Sequence, residues 1–130
     1  MKLFRDGDSS FGPADVKSFA GRADTKLLAS GETGASVHLY QVKFSPGGRT
    51  NWHRHSGPQW LFIVEGRVRV QRWGEPPQEV AAGDAVLFEP NEKHWHGAAA
   101  RGSGGAHLAV NINAKTEWLE PVSEEDYGRI

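Results

Sequence analysis

Hydrophobic and polar residues alternate along this chain in short stretches separated by turn residues, a pattern typical of half-buried β-strands. Every second residue of a strand points to the same face. In the segment SVHLYQVKF, at positions 36–44, one face holds His38, Tyr40, Val42 and Phe44. Further strands are predicted in QWLFIV, RVRVQRW, QEVAAGD (a short strand with its turn), AVLFEP, HWHGAAA and HLAVNIN. The first two of these are predicted to meet at Glu65-Gly66 in a two-residue hairpin turn.

Six to eight short strands at regular spacing predict an all-β protein, built as a closed or sandwiched antiparallel barrel. At 130 residues, the chain is expected to form one domain over residues 1–130. Its predicted parts are an N-terminal arm over residues 1–35, a β-barrel over residues 36–113 and a C-terminal tail over residues 114–130. Within the tail, Ser123 followed by Glu-Glu-Asp predicts a short helix.

Charge and composition exclude several classes of function. Fifteen Lys and Arg residues against 16 Asp and Glu leave a formal net charge of −1, so neither nucleic acid nor a membrane surface is an expected partner. The first residues hold no apolar run typical of a signal peptide, and no stretch of about 18 apolar residues occurs, so we predict a cytoplasmic protein. The chain has no cysteine, so a metal would need His, carboxylate or amide ligands.

Five of the six histidines fall into three of the predicted strand segments. His53 and His55 form one H-x-H pair and His94 and His96 form another, and strand geometry points both rings of a pair to one face. A lone histidine in a strand is usually structural, but several unpaired buried imidazoles would each cost about 1–3 kcal/mol. The two pairs, with His107 on a third segment, therefore predict a metal site. Imidazole ligands with one oxygen ligand suit Zn, Mn, Fe, Ni or Cu.

Two segments resemble the sequence motifs of the cupin family. The first is GGRTNWHRHSGPQWLFIVEG, at positions 47–66, and the second is GDAVLFEPNEKH, at positions 83–94. The resemblance implies a small single-domain antiparallel β-barrel of the jelly-roll type, which holds one divalent metal per chain and associates as a homodimer. It also implies four metal ligands, namely His53, His55, Gln59 and His94.

A longer resemblance points to the bacterial cupin group that includes the manganese-dependent hydroxynitrile lyases. The segments that carry it are GPAD, PGGRTNWHRHSGPQ, EKHWHGAA, HLAV and EWLEPVSEEDY. It implies manganese, with iron, zinc or nickel also compatible, and it implies His96 and His107 as acid/base groups beside the open metal position. Tyr40, Val42 and Asn111 would line the substrate pocket. Those lyases carry a small residue at the position of Tyr40 and a glutamine at that of Asn111, so the substrate stays open.

The amide of Gln59 bears on the function. A glutamate would cancel one unit of the metal's charge, whereas three imidazoles and an amide leave a divalent metal its full positive charge. Such a centre is a good Lewis acid for an alkoxide or a cyanide-like anion, which favours a lyase acting on small hydroxynitrile or carbonyl compounds. The alternatives are a metal-dependent cupin dioxygenase and a non-catalytic cupin that binds a small molecule or metal.

The tryptophans favour packing over ligand binding. Trp52, Trp60 and Trp95 lie on strand faces opposite the histidines if alternation holds, so core packing or a dimer surface is their expected role. Together with Val37 and Leu39, these three predict an apolar outer face that a barrel of this size cannot cover alone. We therefore predict a homodimer.

Overall fold

The structure is a computed structural model and describes residues 1–128. These residues form twelve strands, one 3₁₀ turn and one short α-helix, which confirms the predicted all-β class. The strands are β1 Gly12–Pro13, β2 Phe19–Ala20, β3 Ala23–Gly31, β4 Val37–Phe44, β5 Arg49–Thr50, β6 His53–His55, β7 Gln59–Arg72, β8 Gln78–Ala81, β9 Ala85–Phe88, β10 His94–Ala98, β11 Gly105–Ile112 and β12 Thr116–Trp118. The 3₁₀ turn covers Asp6–Asp8, and helix α1 covers Glu124–Tyr127. No helix within residues 1–128 is long and apolar enough to span a membrane.

The strands build one curled antiparallel sheet, ordered β1-β3-β4-β11-β7-β10-β5-β2. β8 and β9 also pair with β7, while β6 pairs with β10 and β12. The two halves of the sheet share β7, because its N-terminal half pairs with β11 and β9 and its C-terminal half pairs with β10 and β8. The sheet curls over itself in this way, and β6, β10 and β11 border one interior.

The predicted hairpin at Glu65-Gly66 is wrong, because β7 runs through this point without reversing. Gly66 has a φ of 63°, and a Cβ there would lie 2.2 Å from the carbonyl oxygen of Gly104. Glycine therefore serves a bend and a close backbone approach at this corner. The register between β7 and β11 also shifts here, between Ala106 and His107. Residues typical of a turn thus let one strand pass from one half of the sheet to the other.

An apolar cluster fills the interior beside the histidines. Its buried side chains are Leu61, Ile63, Val68, Val70, Phe88 and Ala109. Strand alternation gives this cluster and the site a common face, since Gln59 precedes Leu61 by two residues on β7 and His107 precedes Ala109 by two on β11. Phe88 joins the core to the site, because its ring stacks on that of His94 with 3.6 Å between centroids. Core packing therefore holds the site's strands in place.

Both ends of the chain contribute strands. Residues 1–35, predicted as an arm, include β3, which pairs along β4 as part of the sheet. The alternation of β3 is hard to recognise in the sequence, because the polar residue Lys26 is buried. This residue is 4% exposed, and its ammonium donates to Oδ1 of Asp6 at 2.7 Å. The tail adds β12 beside β6. It also adds α1, capped by the side chain of Ser123, which confirms the predicted terminal helix.

The tryptophans divide between two outer faces. Trp52 and Trp95 are buried under the C-terminal segment, where they pack in one cluster with Tyr127. Trp60 lies on the outer face of the other half of the sheet, stacked on Phe62, and is 38% exposed. Core packing, one of the two roles expected for the tryptophans, is therefore confirmed for Trp52 and Trp95, whereas the expectation that they belong to an exposed apolar face is wrong because the tail covers them.

Candidate metal centre

Five histidine rings meet inside the sheet, positioned by three strands. β6 carries His53 and His55, β10 carries His94 and His96, and β11 carries His107. His53 and His94 are cross-strand partners, and their ring centroids lie 4.3 Å apart. The ring centroid of His96 lies 5.2 Å from that of His53 and 4.8 Å from that of His107. The two H-x-H pairs therefore point into one place, as strand alternation predicts.

Three of these rings could hold a metal ion together. One ring nitrogen from each of His53, His94 and His96 lies within 4.8 Å of the other two, and all three residues are buried. His55 borders this group, with its ring centroid 5.0 Å from that of His53 and 5.4 Å from that of His94. Gln59 places its Oε1 3.2 Å from Nε2 of His94. The four predicted ligands thus lie together, with His96 beside them, and their roles as ligands stay predictions.

Backbone carbonyls fix the protonated nitrogen of two rings. Nδ1 of His53 lies 2.9 Å from the carbonyl oxygen of Asn51, and Nδ1 of His94 lies 2.7 Å from that of Glu92. A carbonyl oxygen can only accept, so each Nδ1 carries the proton and each Nε2 keeps a free lone pair. Metal-ligating histidines are held by this kind of hydrogen bond.

His94 and Gln59 present two acceptors to each other. Nε2 of His94 has no proton, so it and Oε1 of Gln59 both offer lone pairs across 3.2 Å. The Gln59 atom at this contact is Oε1, while Nε2 of Gln59, at the other end of the amide, donates to Oδ1 of Asn111 at 2.7 Å. Two buried acceptors that face each other are unfavourable unless a cation lies between them. The arrangement therefore fits a bound metal better than a structural hydrogen bond.

Three further ring nitrogens are buried without a hydrogen-bond partner, namely Nε2 of His55, Nε2 of His96 and Nδ1 of His107. The opposite nitrogen of each ring is occupied. Nδ1 of His55 lies 2.8 Å from Oγ1 of Thr116, and Nδ1 of His96 lies 3.0 Å from Nε2 of His107. Each ring is thus oriented on one side and left free on the other, which suits a metal ligand or a base.

Burial keeps these imidazoles uncharged. It lowers the pKa of His94 to about 3 and the pKa values of His55 and His107 to about 4. The pKa values of His53 and His96 also fall well below the usual range, first through burial and then through neighbouring histidines. Neutral rings are the form that binds metal or accepts a proton. His96 and His107, predicted as acid/base groups, are therefore neutral rings at neutral pH.

A cavity of about 290 Å³ opens beside the histidines. Tyr40, Val42 and Asn111, the three residues predicted to form the substrate pocket, all line it. His96 and His107 line it too. The predicted acid/base residues and the predicted pocket residues therefore share one space, and their roles in it stay predictions.

Sequence analysis missed two aromatic residues of this cavity, Phe19 and Trp118. Trp118 lies on β12, and its ring centroid is 4.6 Å from that of His53 and 5.8 Å from that of Phe19. β12 reaches the site because it pairs with β6, and Phe19 reaches it because β2 pairs with β5. These pairings join distant segments, so the sole sequence signal was Trp118 itself, a large aromatic residue in a mostly polar tail, and no comparable signal marked Phe19.

Comparison with known proteins supports the same fold. A family model described as "Cupin domain" matches residues 40–111. The chain is 36% identical over 132 aligned residues to an (R)-mandelonitrile lyase from Granulicella tundricola, and the match covers 99% of this chain and 100% of that relative.

Two solved structures have a similar fold. A cupin-like protein from Thermotoga maritima has a TM-score of 0.83 at 35% identity, covering 88% of this chain and 89% of that chain. The polyketide cyclase RemF from Streptomyces resistomycificus has a TM-score of 0.69 at 20% identity, covering 98% of this chain and 90% of that chain, and shares the fold alone. The family match and the 36% identity along nearly the whole chain show that this chain belongs to the cupin family.

Proposed function

We propose that this protein is a metal-dependent lyase that acts on small α-hydroxynitriles or related carbonyl compounds. The observation that carries the proposal is the pair of facing acceptors, Nε2 of His94 and Oε1 of Gln59, beside the free nitrogens of His55 and His96. The 36% identity to an (R)-mandelonitrile lyase supports the reaction class.

Four residues would hold one divalent metal ion per chain, namely His53, His55, Gln59 and His94. All four are neutral at neutral pH, because burial lowers the imidazole pKa values and an amide carries no charge. The ion would keep its full positive charge, which favours an oxyanion or another anionic ligand. Manganese is the metal we propose, and iron, zinc or nickel would suit the same nitrogen and oxygen donors.

His96 is the residue that we propose to move the proton. When bound, the metal ion supplies Lewis-acid stabilisation to the reacting hydroxyl or carbonyl oxygen. Nε2 of His96 is buried, unpartnered and on a residue that lines the cavity, so it can accept the hydroxyl proton of a cyanohydrin. As that proton leaves, the oxygen forms a carbonyl with its carbon, and the bond to the nitrile carbon breaks with its electron pair on cyanide.

His107 would support the charge that His96 gains. Nδ1 of His96 lies 3.0 Å from Nε2 of His107, so a protonated His96 can donate from Nδ1 to a neutral His107. Burial holds the pKa of His107 at about 4, which keeps it neutral and able to accept. In the reverse direction, the same pair would return the proton to the carbonyl oxygen as cyanide adds to its carbon.

The remaining cavity walls would hold the part of the substrate that does not react. Phe19, Tyr40 and Trp118 offer aromatic surfaces, and Val42 offers an aliphatic one. Such walls bind an apolar substituent by dispersion and stacking. A cavity of about 290 Å³ limits the substrate to a small molecule.

The test is reconstitution followed by two assays. Protein purified without added metal is analysed for its elements, stripped with a chelator and reloaded with Mn²⁺, Fe²⁺ or Zn²⁺. Each form is assayed anaerobically for cyanide release from a panel of small cyanohydrins, and then for oxygen consumption with phenols and diketones. The stripped protein and the free metal ions are the controls.

We expect cyanide release without oxygen, dependent on the reloaded metal. Oxygen consumption without cyanohydrin cleavage would overturn the proposal in favour of a cupin dioxygenase. Saturable binding of the same compounds without turnover in any metal form would overturn it in favour of a non-catalytic binding protein.

We also propose that two copies associate through the outer face of β7. Trp60 has two apolar neighbours in register, Leu87 of β9 and Val110 of β11, and Leu39 of β4 extends the row beyond Val110. Trp60 and Leu87 are 38% and 40% exposed, and Phe62 is 44% exposed. A continuous apolar stripe over four strands is typical of an interaction surface.

Light scattering at micromolar concentration tests this association. Wild-type protein is expected as a dimer, and the variant with both Trp60→Lys and Phe62→Lys as a monomer that keeps its metal. Val16→Lys is the control, because Val16 is 87% exposed and lies outside the stripe. A monomeric wild-type protein would contradict the proposal.

A further inference from the structure

We infer that Asn111 is a positioning residue that turns the amide of Gln59 so that its oxygen, rather than its nitrogen, faces the metal. The inference rests on the proposed function, in which Gln59 is a ligand. It assigns Asn111 a role beyond lining the cavity.

Strand pairing places the two amides side by side. Asn111 of β11 is the cross-strand partner of Gln59 of β7, and both side chains line the cavity. Nε2 of Gln59 donates to Oδ1 of Asn111 at 2.7 Å. Gln59 is 4% exposed, so water offers little alternative to this bond. The contact therefore determines where the other end of the amide points, and Oε1 lies 3.2 Å from Nε2 of His94.

The alternative orientation of Gln59 would block the site. The two ends of an amide are almost equal in size, but one donates and the other accepts. Rotated by half a turn, the amide would donate from its nitrogen to Nε2 of His94, whose proton is already on Nδ1 because of the Glu92 carbonyl. That bond would satisfy both groups without metal. With Oδ1 of Asn111 in its present position, this closed arrangement would bring two amide oxygens together, so it would also require the Asn111 amide to rotate.

A double-mutant cycle tests the inference through metal affinity. Mn²⁺ affinity is measured by competition with a chromophoric chelator for wild type, Asn111→Leu, Asn111→Asp, Gln59→Glu and the double variant Gln59→Glu with Asn111→Leu. Leucine has a similar size but cannot accept. A carboxylate at position 59 presents an oxygen in either orientation, so it removes the need for a positioning partner. Thermal unfolding of each metal-free variant reports on the fold separately.

Asn111→Leu is expected to weaken Mn²⁺ affinity by about 10–100-fold, the usual effect of removing a partner that orients a ligand. Asn111→Asp keeps the acceptor and is expected to bind Mn²⁺ at least as tightly as wild type. In the Gln59→Glu background, Asn111→Leu is expected to change affinity by no more than about twofold, the usual error of additivity. A loss as large in that background as in wild type would overturn the inference, because it would reflect packing alone.

Gln59→Leu separates this inference from the proposed function. Wild-type Mn²⁺ affinity in Gln59→Leu would remove Gln59 from the ligand set, and the proposed centre would fail together with the inference. Weakened affinity in Gln59→Leu with wild-type affinity in Asn111→Leu would overturn the positioning role alone and leave the proposed centre intact.

Discussion

Two groups of buried, nitrogen-bearing side chains lie on opposite faces of the curled sheet, and they differ in how many hydrogen-bond partners the chain provides. The inner face holds the five histidines. The outer face, under the C-terminal segment, holds Arg49 of β5 and Arg69 of β7, each 7% exposed. Because both groups are polar and buried, each must find partners or raise the free energy of the fold.

The arginines find their partners within the chain. Arg49 donates to Oε1 of Glu124 and Arg69 donates to Oε1 of Glu79, each at 2.9 Å. Tyr127 lies against both, with the guanidinium carbons 4.2 and 5.0 Å from its ring centroid. Both terminal nitrogens of each guanidinium have an acceptor, and only Nε of each does not. This arginine cluster fastens α1 to the sheet.

The histidines are oriented by the chain but not satisfied by it. Nδ1 of His53, His55 and His94 each has a partner outside the cluster, while Nε2 of His55 has none and Nε2 of His94 faces another acceptor. The described fold does not require these ring nitrogens to lack hydrogen-bond donors. The comparison teaches that buried groups largely satisfied by the chain serve the fold, whereas groups that are oriented and then left free fit the proposed metal centre.

The largest expected effect follows from removing two proposed ligands. Changing His53→Ala and His55→Ala together should abolish metal retention, since only two of four donors remain. Elemental analysis of the purified variant checks this. Arg49→Met is the control from the other cluster and should retain its metal. Undiminished metal content in the histidine variant would disprove the ligand assignment.

Single variants sharpen this result, because His96 lies as close to His53 and His94 as a ligand would. If His55 is the third imidazole ligand, His55→Ala should lower metal content more than His96→Ala does. The reverse ranking would move His96 from the proton-transfer role into the metal centre.

The next largest effect concerns turnover at constant metal content. His96→Ala and His107→Ala should each lower turnover about 10²–10⁴-fold, the usual range for losing a positioned proton-transfer group. Metal content should stay near that of wild type. If both residues instead support the metal ligands, the same changes should weaken metal affinity about 10–100-fold, with activity restored by excess metal. Metal-saturated variants that turn over like wild type would remove both residues from the mechanism.

Acid should destabilise the metal-free protein through its histidine cluster. Burial lowers the pKa values of His55 and His107 to about 4. Between pH 6.5 and pH 4, both histidines are therefore protonated in the unfolded chain but neutral in the folded protein. The free energy of unfolding of the metal-free protein should therefore fall as pH falls through this window, by about 2 kcal/mol for each of the two residues at pH 5. Urea unfolding at pH 7 and pH 5 measures the difference. Equal stability at both values would contradict the burial of neutral rings.

The sequence predicts those features of the site that depend on neighbouring residues along one strand. The period of two along a strand is enough to pair His53 with His55 and His94 with His96, and the alternation of β4 is enough to put Tyr40 on one face. The ligand spacing of the two H-x-H pairs does not depend on which strands are neighbours. A sequence pattern can therefore indicate this part of the centre without the fold.

The features that the sequence did not predict depend on contacts between residues far apart along the chain. Gly66 is a residue typical of a turn. Because β7 pairs with two distant strands on either side of it, Gly66 instead forms a bend within β7. Thr116 and Trp118 belong to a polar tail until β12 pairs with β6. The sequence predicts an exposed side chain for Lys26, whereas in the structure it is buried and its ammonium donates to Asp6. In each case the decisive contact is a tertiary one, which no local pattern carries.

The smallest expected effect comes from the arginine cluster, and it tests whether the two groups are independent. Arg69→Met keeps the aliphatic stem but removes the hydrogen bonds to Glu79 and Tyr127 and the contact with the tyrosine ring. The free energy of unfolding should fall by about 2 kcal/mol, the sum of one charged hydrogen bond and a cation–π contact at typical strength. Metal affinity and turnover should not change, because Arg69 points to the outer face of the sheet.

Arg54→Met is the matched control for this change. Arg54 lies between the two histidines of β6 and pairs with Glu117 on the surface, with the two side chains 46% and 56% exposed. An exposed ion pair contributes about 0–1 kcal/mol, so urea unfolding should rank Arg69→Met clearly below Arg54→Met in stability. If Arg69→Met instead loses metal as His53→Ala with His55→Ala does, α1 and the metal centre form one cooperative unit, and the division between a satisfied structural cluster and an unsatisfied binding cluster would not hold for this protein.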